Sequence, residues 1–303
     1  MDRQLFTDFI IHISILLSIL IVLVNTICLV VILAFKRLRR KPPMVFIMNL
    51  LVTHLVQGLF VLPVYAIKKS KAYPRDLYSV VCDTWRFLYM LTFYGTCINV
   101  FLVAVDRYFA TRYAVSQKIK LTAHRCAAIC VASWLYMIML CLIPFAPLER
   151  SVSLQSSKCN YNQPYQWTIY MLMANTVFPF LLVFLIYFYI THTLRSSAKA
   201  ARSGIAGRRF SAALNRKLTT LTVNVTLTYG ITWLPSIVYY NIVTIRPDTF
   251  SAEFYDSDAE SLVTFLIKYI TFFDAVLAPI LYCRQSKDFR RAFGDFKKKW
   301  KTR

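Results

Sequence analysis

The feature that most constrains this chain is a series of long stretches without a single Asp, Glu, Lys or Arg. They cover residues 9–35, 44–67, 87–105, 126–148, 159–194 and 218–245, and hold 27, 24, 19, 23, 36 and 28 residues. A bilayer's hydrocarbon core is about 30 Å thick, and a helix rising about 1.5 Å per residue crosses it in about 20 residues. All six runs except the 19-residue one exceed that length, and that one nearly equals it. A seventh run, 261–283, is apolar except for Lys268 and Asp274. A charge in the middle of an isolated spanning helix costs about 2.5–3.5 kcal/mol, so these two residues are candidates for function.

Runs of this continuity predict helices, not the short alternating segments of a barrel. The expected fold class is an all-α membrane protein, a seven-transmembrane helix bundle with a short amphipathic eighth helix. The expected helices are about 9–35, 44–67, 79–113, 123–147, 165–195, 211–245 and 259–283. A short extracellular N-terminus, 1–8, precedes this 9–283 domain, and 284–303 forms the amphipathic helix and short cytoplasmic tail. Apolar sequence begins by Phe9 with almost no basic residues before it, so the first span is expected to act as its own insertion signal.

The net charge of +22 would suggest nucleic acid if it lay on one face of a soluble domain. On seven spans it separates by side. With the N-terminus outside, the inner connections and tail carry 25 basic residues against the two acids Asp288 and Asp295, while the outer ends carry 10 of each sign. The positive-inside rule therefore predicts an extracellular N-terminus and a cytoplasmic C-terminus, and no nucleic acid is needed. In the tail, Phe289, Phe293, Phe296 and Trp300 recur at helical spacing among Arg290, Arg291 and Lys297–Lys299. That pattern predicts a surface helix attracted to anionic lipids of the inner leaflet.

Short motifs fall in order along these spans: Asn25 in the first, Asn49-Leu50 in the second and Asp106-Arg107-Tyr108 ending the third. Trp134 lies in the fourth, Pro179 and Tyr187 in the fifth, Thr232-Trp233-Leu234-Pro235 in the sixth and Pro279-Ile280-Leu281-Tyr282 in the seventh. Together they resemble the rhodopsin-like (class A) G-protein-coupled receptors over essentially the whole chain. The resemblance implies a plasma-membrane receptor, not an enzyme, that binds an extracellular ligand and activates heterotrimeric G proteins. It implies that Asp106 restrains Arg107 until activation, that Tyr187 and Tyr282 are switch tyrosines, and that Lys217 meets the G protein. It also implies that Trp233 floors the pocket above a Pro235 hinge, about which the sixth helix swings outward. Cys82 and Cys159 match the family's outer disulfide. No cofactor and no metal site is expected.

The chain departs from the family pattern at two points. His54 stands where the family usually has Asp in the second helix, and Ala278 where it has Asn or Asp before the helix 7 proline. A histidine cannot supply the anionic ligand of the usual sodium site, which is expected to be absent. Asp274 lies about one turn above Ala278. It is expected either to pair with His54, directly or through water, or to be satisfied separately.

The ligand pocket is expected among the outer halves of the third, fifth, sixth and seventh spans. Arg86, Tyr89, Met90 and Phe93 share one face, Trp233, Tyr239 and Tyr240 come from the sixth span, and Lys268 from the seventh. An amine receptor needs an acid where this chain has Tyr89. Arg86 and Lys268, with Lys68, Lys69, Lys71 and Arg75 nearby, favour an anionic small molecule, lipid or peptide. Pairing of Arg86 with Asp83, and of Lys268 with Glu260 or Asp258, is the alternative. The short third inner connection, about 196–210, favours an inhibitory-type G protein. A non-signalling or decoy receptor remains an alternative because of His54 and Ala278. A transporter is less favoured, because no inverted repeat or paired broken helices are present.

Overall fold

A computed structural model describes residues 3–112, 122–143, 165–202, 227–243, 245–246, 249 and 258–301. Every long element is helical, and no strand occurs among the described residues. We label the helices α1 (Arg3–Ala34), α2 (Pro42–Ser70), α3 (Tyr78–Arg112), α4 (Ala123–Leu142) and α5 (Tyr165–Leu172 continuing through a wide turn into Phe178–Arg202). α6 covers 227–243, α7 Asp258–Gln285 and α8 Lys287–Lys301. Six of them are long and apolar enough to cross a membrane, and α6 is described over only part of its expected length. α1 and α5 extend beyond the expected 9 and 195, since a charge-free run marks the lipid-bathed portion of a helix and not its ends.

The bundle buries polar residues within an apolar core and presents apolar side chains outside. Leu16, Phe188 and Ile231 are 67, 74 and 72% exposed, whereas Asn25, Asn99, Thr53 and His54 are buried. Such a surface would aggregate in water and is stable facing lipid tails. With no hydrophobic drive between helices in lipid, close packing and interhelical hydrogen bonds hold the bundle together. Ser18 Oγ donates to the Gly58 carbonyl at 2.6 Å, and a methyl at Gly58 would lie 2.9 Å from Ile21 Cγ2. This glycine lets α1 and α2 touch.

Prolines set the local departures. Wide π turns occupy Gln57–Val61 and Met173–Val177, just before Pro63 and Pro179. A helical proline clashes with the carbonyl four residues back and leaves it without a donor, and a wider turn relieves both. The second π turn buries Asn175, which accepts from Tyr136 Oη of α4 at 2.7 Å. Pro279 orphans the Ala275 carbonyl, and Asn25 Nδ2 of α1 replaces the missing donor at 2.8 Å. This is the structural use of Asn25.

At the end carrying Lys36–Lys41, α8 folds back onto α1 and α2. Phe289 and Ala292 join a core with Val31, Ile32, Leu38 and Met44, and Phe293 and Phe296 pack against it. Ser286 Oγ caps α8 by accepting from the Phe289 amide at 3.2 Å. Lys41 forms an ion pair with Asp288, and its ammonium holds that carboxyl below the usual carboxylate range. The folded value lies below the unfolded one of about 3.9, so the pair stabilises docking at neutral pH and its contribution is lost as pH falls below about 4. Both side chains are over a third exposed, which limits the gain to under about 1 kcal/mol. A fluorophore on α8 is expected to report loosening on acidification in the native chain and no such acid step in Asp288→Asn.

Candidate functional site

Three layers of polar and aromatic residues run along the bundle axis. At the α8 end, Asp106 Oδ2 accepts from Arg107 Nε at 2.9 Å and also from Nη2. The two side chains are only 7 and 13% exposed. Adjacent residues on a helix do not face each other, so this pair exists because Arg107 bends back on its long stem. Tyr108 packs on the Tyr189 ring of α5 at 5.2 Å. Tyr187 is buried in α5. Tyr282 has Arg107 and Asp106 as charged neighbours, but its hydroxyl points to Met44 Sδ at 3.7 Å. Cys28 of α1 and Cys283 of α7 face each other with sulfurs 2.9 Å apart. Lys217 lies outside the described residues.

The middle layer centres on Trp233, which is 2% exposed. Its ring lies 5.0 Å from Phe93 of α3 and 5.6 Å from Tyr229 of its own helix. Asp274 is buried beside it and accepts from Thr232 Oγ1 at 3.4 Å. His54 Nδ1 lies 3.3 Å from Asn25 Oδ1, and His54 Nε2 has no hydrogen-bond partner among the described residues. The direct form of the expected His54–Asp274 pair is therefore not made. Asp274 faces the hydroxyl of α6, whereas His54 faces α1, so each polar group is met by its nearer helix. Ala278 is buried one turn below. Beside this layer, Asn99 donates to Thr53 Oγ1 at 2.9 Å and accepts from Asn49 at 2.5 Å, and Trp134 Nε1 donates to Asn49 at 2.8 Å. This network ties α2, α3 and α4 together.

At the opposite end, Lys268 is placed over α2 and α3. Its Nζ lies 5.6 Å from the Tyr65 centroid and 5.2 Å from that of Trp85. Lys68 Nζ lies 4.0 Å from the same Trp85 centroid. Lys68 and Lys268 thus meet over one ring. Arg86 acts on Tyr94 as a nearby charge.

Tyr89 stacks on Trp85 at 5.1 Å and continues to Phe93 at 6.0 Å. Tyr240 neighbours Tyr89 and lies against Tyr239, with ring centroids 5.5 Å apart. Met90 is half-buried against the core. Sequence reasoning missed Lys68, Trp85 and Tyr65 as one group. Tyr65, Lys68 and Lys69 at i, i+3 and i+4 were the available signal.

Cys82, at the start of α3, is disulfide-bonded, and the other described cysteines are free thiols. Cys159 lies outside the described residues. No group of three metal-binding side chains occurs among the described residues.

Comparison with known proteins gives one family. The family described as "7 transmembrane receptor (rhodopsin family)" matches residues 24–282. The histamine H2 receptor of Cavia porcellus is 25% identical over 297 residues, covering 95% of this chain and 80% of that receptor. The 5-hydroxytryptamine receptor 1B of Felis catus is 27% identical over 173 residues, 57% of this chain and 44% of the relative. G-protein coupled receptor 161 of Mus musculus is 26% identical over 164 residues, 52% of this chain and 30% of the relative. The chain thus spans under half the length of two of these relatives. That match runs from the first span, just before Asn25, to Tyr282 in the last, and the chain belongs to the rhodopsin family of seven-transmembrane receptors.

Proposed function

We propose that this chain is a plasma-membrane receptor with its N-terminus outside, which binds an extracellular anionic ligand and activates heterotrimeric G proteins, the inhibitory type favoured. The observation that carries the reading is the unbroken line of rings from mouth to hinge. Trp85, Tyr89, Phe93 and Trp233 contact in sequence at 5.1, 6.0 and 5.0 Å. A ligand pressing on Trp85 reaches Trp233 through packed rings, and close-packed interiors transmit such displacement. Pro235 leaves a backbone carbonyl without its donor two residues on, which makes α6 the helix that bends.

At the far end, the bent-back Arg107 is the group to be released. Freed from Asp106, its guanidinium offers donors to the carbonyl-rich C-terminus of a G-protein helix. Lys217 adds a second cation there, and the anionic inner leaflet holds α8. Two of the relatives are named for amines. An amine is disfavoured here because the mouth presents Lys68, Lys69 and Lys268, and the buried described acids are Asp106 at the other end and Asp274, bonded to Thr232.

The α6 mechanism is tested by distance. Spin labels at Arg112 and Lys217 are expected to move apart when a nucleotide-free G protein binds the chain in nanodiscs. An unchanged distance in a chain that binds G protein would contradict the swing.

A further inference from the structure

At the mouth, three lysines gather on two rings. Lys68 and Lys268 share the Trp85 ring, and Lys268 and Lys69 share Tyr65, with Lys69 Nζ 5.8 Å from that centroid. The two rings are themselves 5.7 Å apart. Glu260 is an acid that acts on Lys69 and Lys268, and the charged neighbours of Lys68 are the other two lysines. Lysine stems are long enough to carry their charge out to water, yet Lys68 and Lys268 fold back over rings and stay half-buried. Ring faces attract each cation but do not relieve the repulsion between them. Trp85 Nε1 is buried there without a hydrogen-bond partner among the described residues. The indole N–H can only donate. Paired cations beside an unused donor complement an acceptor-rich group of charge about −2.

We propose that the Lys68–Trp85–Lys268 cluster, where α2, α3 and α7 meet, seats a phosphate monoester, with Lys68 and Lys268 as its two charge partners and Trp85 Nε1 as a neutral donor. The aryl or acyl body of the ligand lies along the Trp85–Tyr89 stack. The inference rests on the anion-binding reading above and specifies it: a carboxylate or sulfonate occupies one lysine, a phosphate monoester both. The group is the same at the lysines whether it arrives on a soluble molecule or on a single-chain lipid.

The test uses the whole chain in phosphatidylcholine nanodiscs, without G protein. The probes are 2-naphthyl phosphate, 2-naphthalenesulfonate and 2-naphthol, one ring system carrying two, one and no negative charges at neutral pH. The phosphate is expected to bind about tenfold tighter than the sulfonate, the weight of one charge-assisted hydrogen bond. Lys68→Gln and Lys268→Gln should each remove that preference, and Lys68→Arg and Lys268→Arg should keep it. Lys297→Gln, at the other end of the bundle, should leave it intact, and thermal unfolding without probe checks that each variant is folded. In a second arm, lysophosphatidate in the disc displaces 2-naphthyl phosphate if a lipid source reaches the seat, and fails to displace it if the source is soluble. Equal affinity for phosphate and sulfonate, a preference that survives both glutamine variants, or no binding of any probe overturns the phosphate seat. Because no G protein is present, each of those results leaves the signalling reading to be judged separately.

Discussion

Asn99→Leu is expected to destabilise the bundle by about 2–4 kcal/mol, the largest stability effect of any single polar residue in the core. Asn99 Nδ2 donates to Thr53 Oγ1 at 2.9 Å and to the Gly95 carbonyl at 2.8 Å, and its Oδ1 accepts from Asn49. The leucine deletes all three bonds and strands the Asn49 amide inside a bundle where water cannot replace its partner. An interhelical hydrogen bond in a membrane contributes about 0.6 kcal/mol on average and up to about 1.7, so the sum depends on how many partners are left unmet. Thr53→Val removes one acceptor and should cost correspondingly less. The free buried thiols supply the readout: a thiol-reactive dye follows unfolding on heating, and Asn99→Leu should lower the midpoint by several degrees. A midpoint equal to that of the native chain would mean that the α2–α3–α4 network contributes nothing to stability.

Trp233→Ala is expected to damage stability and transmission together. The ring is buried between Phe93 and Tyr229, and truncating a core tryptophan costs about 3–5 kcal/mol where the site cannot collapse. The same cavity breaks the line of rings between the mouth and α6. Trp233→Phe keeps an aromatic face against Phe93 and should recover much of the stability. Measured side by side, the alanine variant should lose both midpoint and G-protein activation, whereas the phenylalanine variant should keep most of the midpoint. Full activation by the alanine variant would show that the ring line is not the route.

The spans were legible because a bilayer tolerates so little charge that composition alone marks them. The family landmarks were legible as a resemblance, and Asn25 acquires a physical role once its amide is seen answering the carbonyl orphaned by Pro279. Two features of the polar interior were not legible. The π turn at Gln57–Val61 adds a residue to one turn of α2 and so rotates everything beyond it, which brings Tyr65, Lys68 and Lys69 toward Trp85 and Lys268. Spacing along an ideal helix could not place them there. The His54–Asp274 expectation failed in its direct form because both residues had nearer partners, Asn25 and Thr232, on helices whose phase the sequence does not state.

The proposed mechanism is a cationic mouth that drives an arginine switch at the other end of the bundle. Its most direct test is nucleotide exchange on purified heterotrimeric G proteins of each class, catalysed by the chain in nanodiscs. Exchange on at least one class, the inhibitory type first, should exceed the spontaneous rate, and Arg107→Ala should return it to that rate while still unfolding cooperatively, at a midpoint lowered by the stranded Asp106 carboxylate. Exchange no faster than spontaneous for every class, with or without 2-naphthyl phosphate, would contradict the claim and leave a binding protein that does not signal.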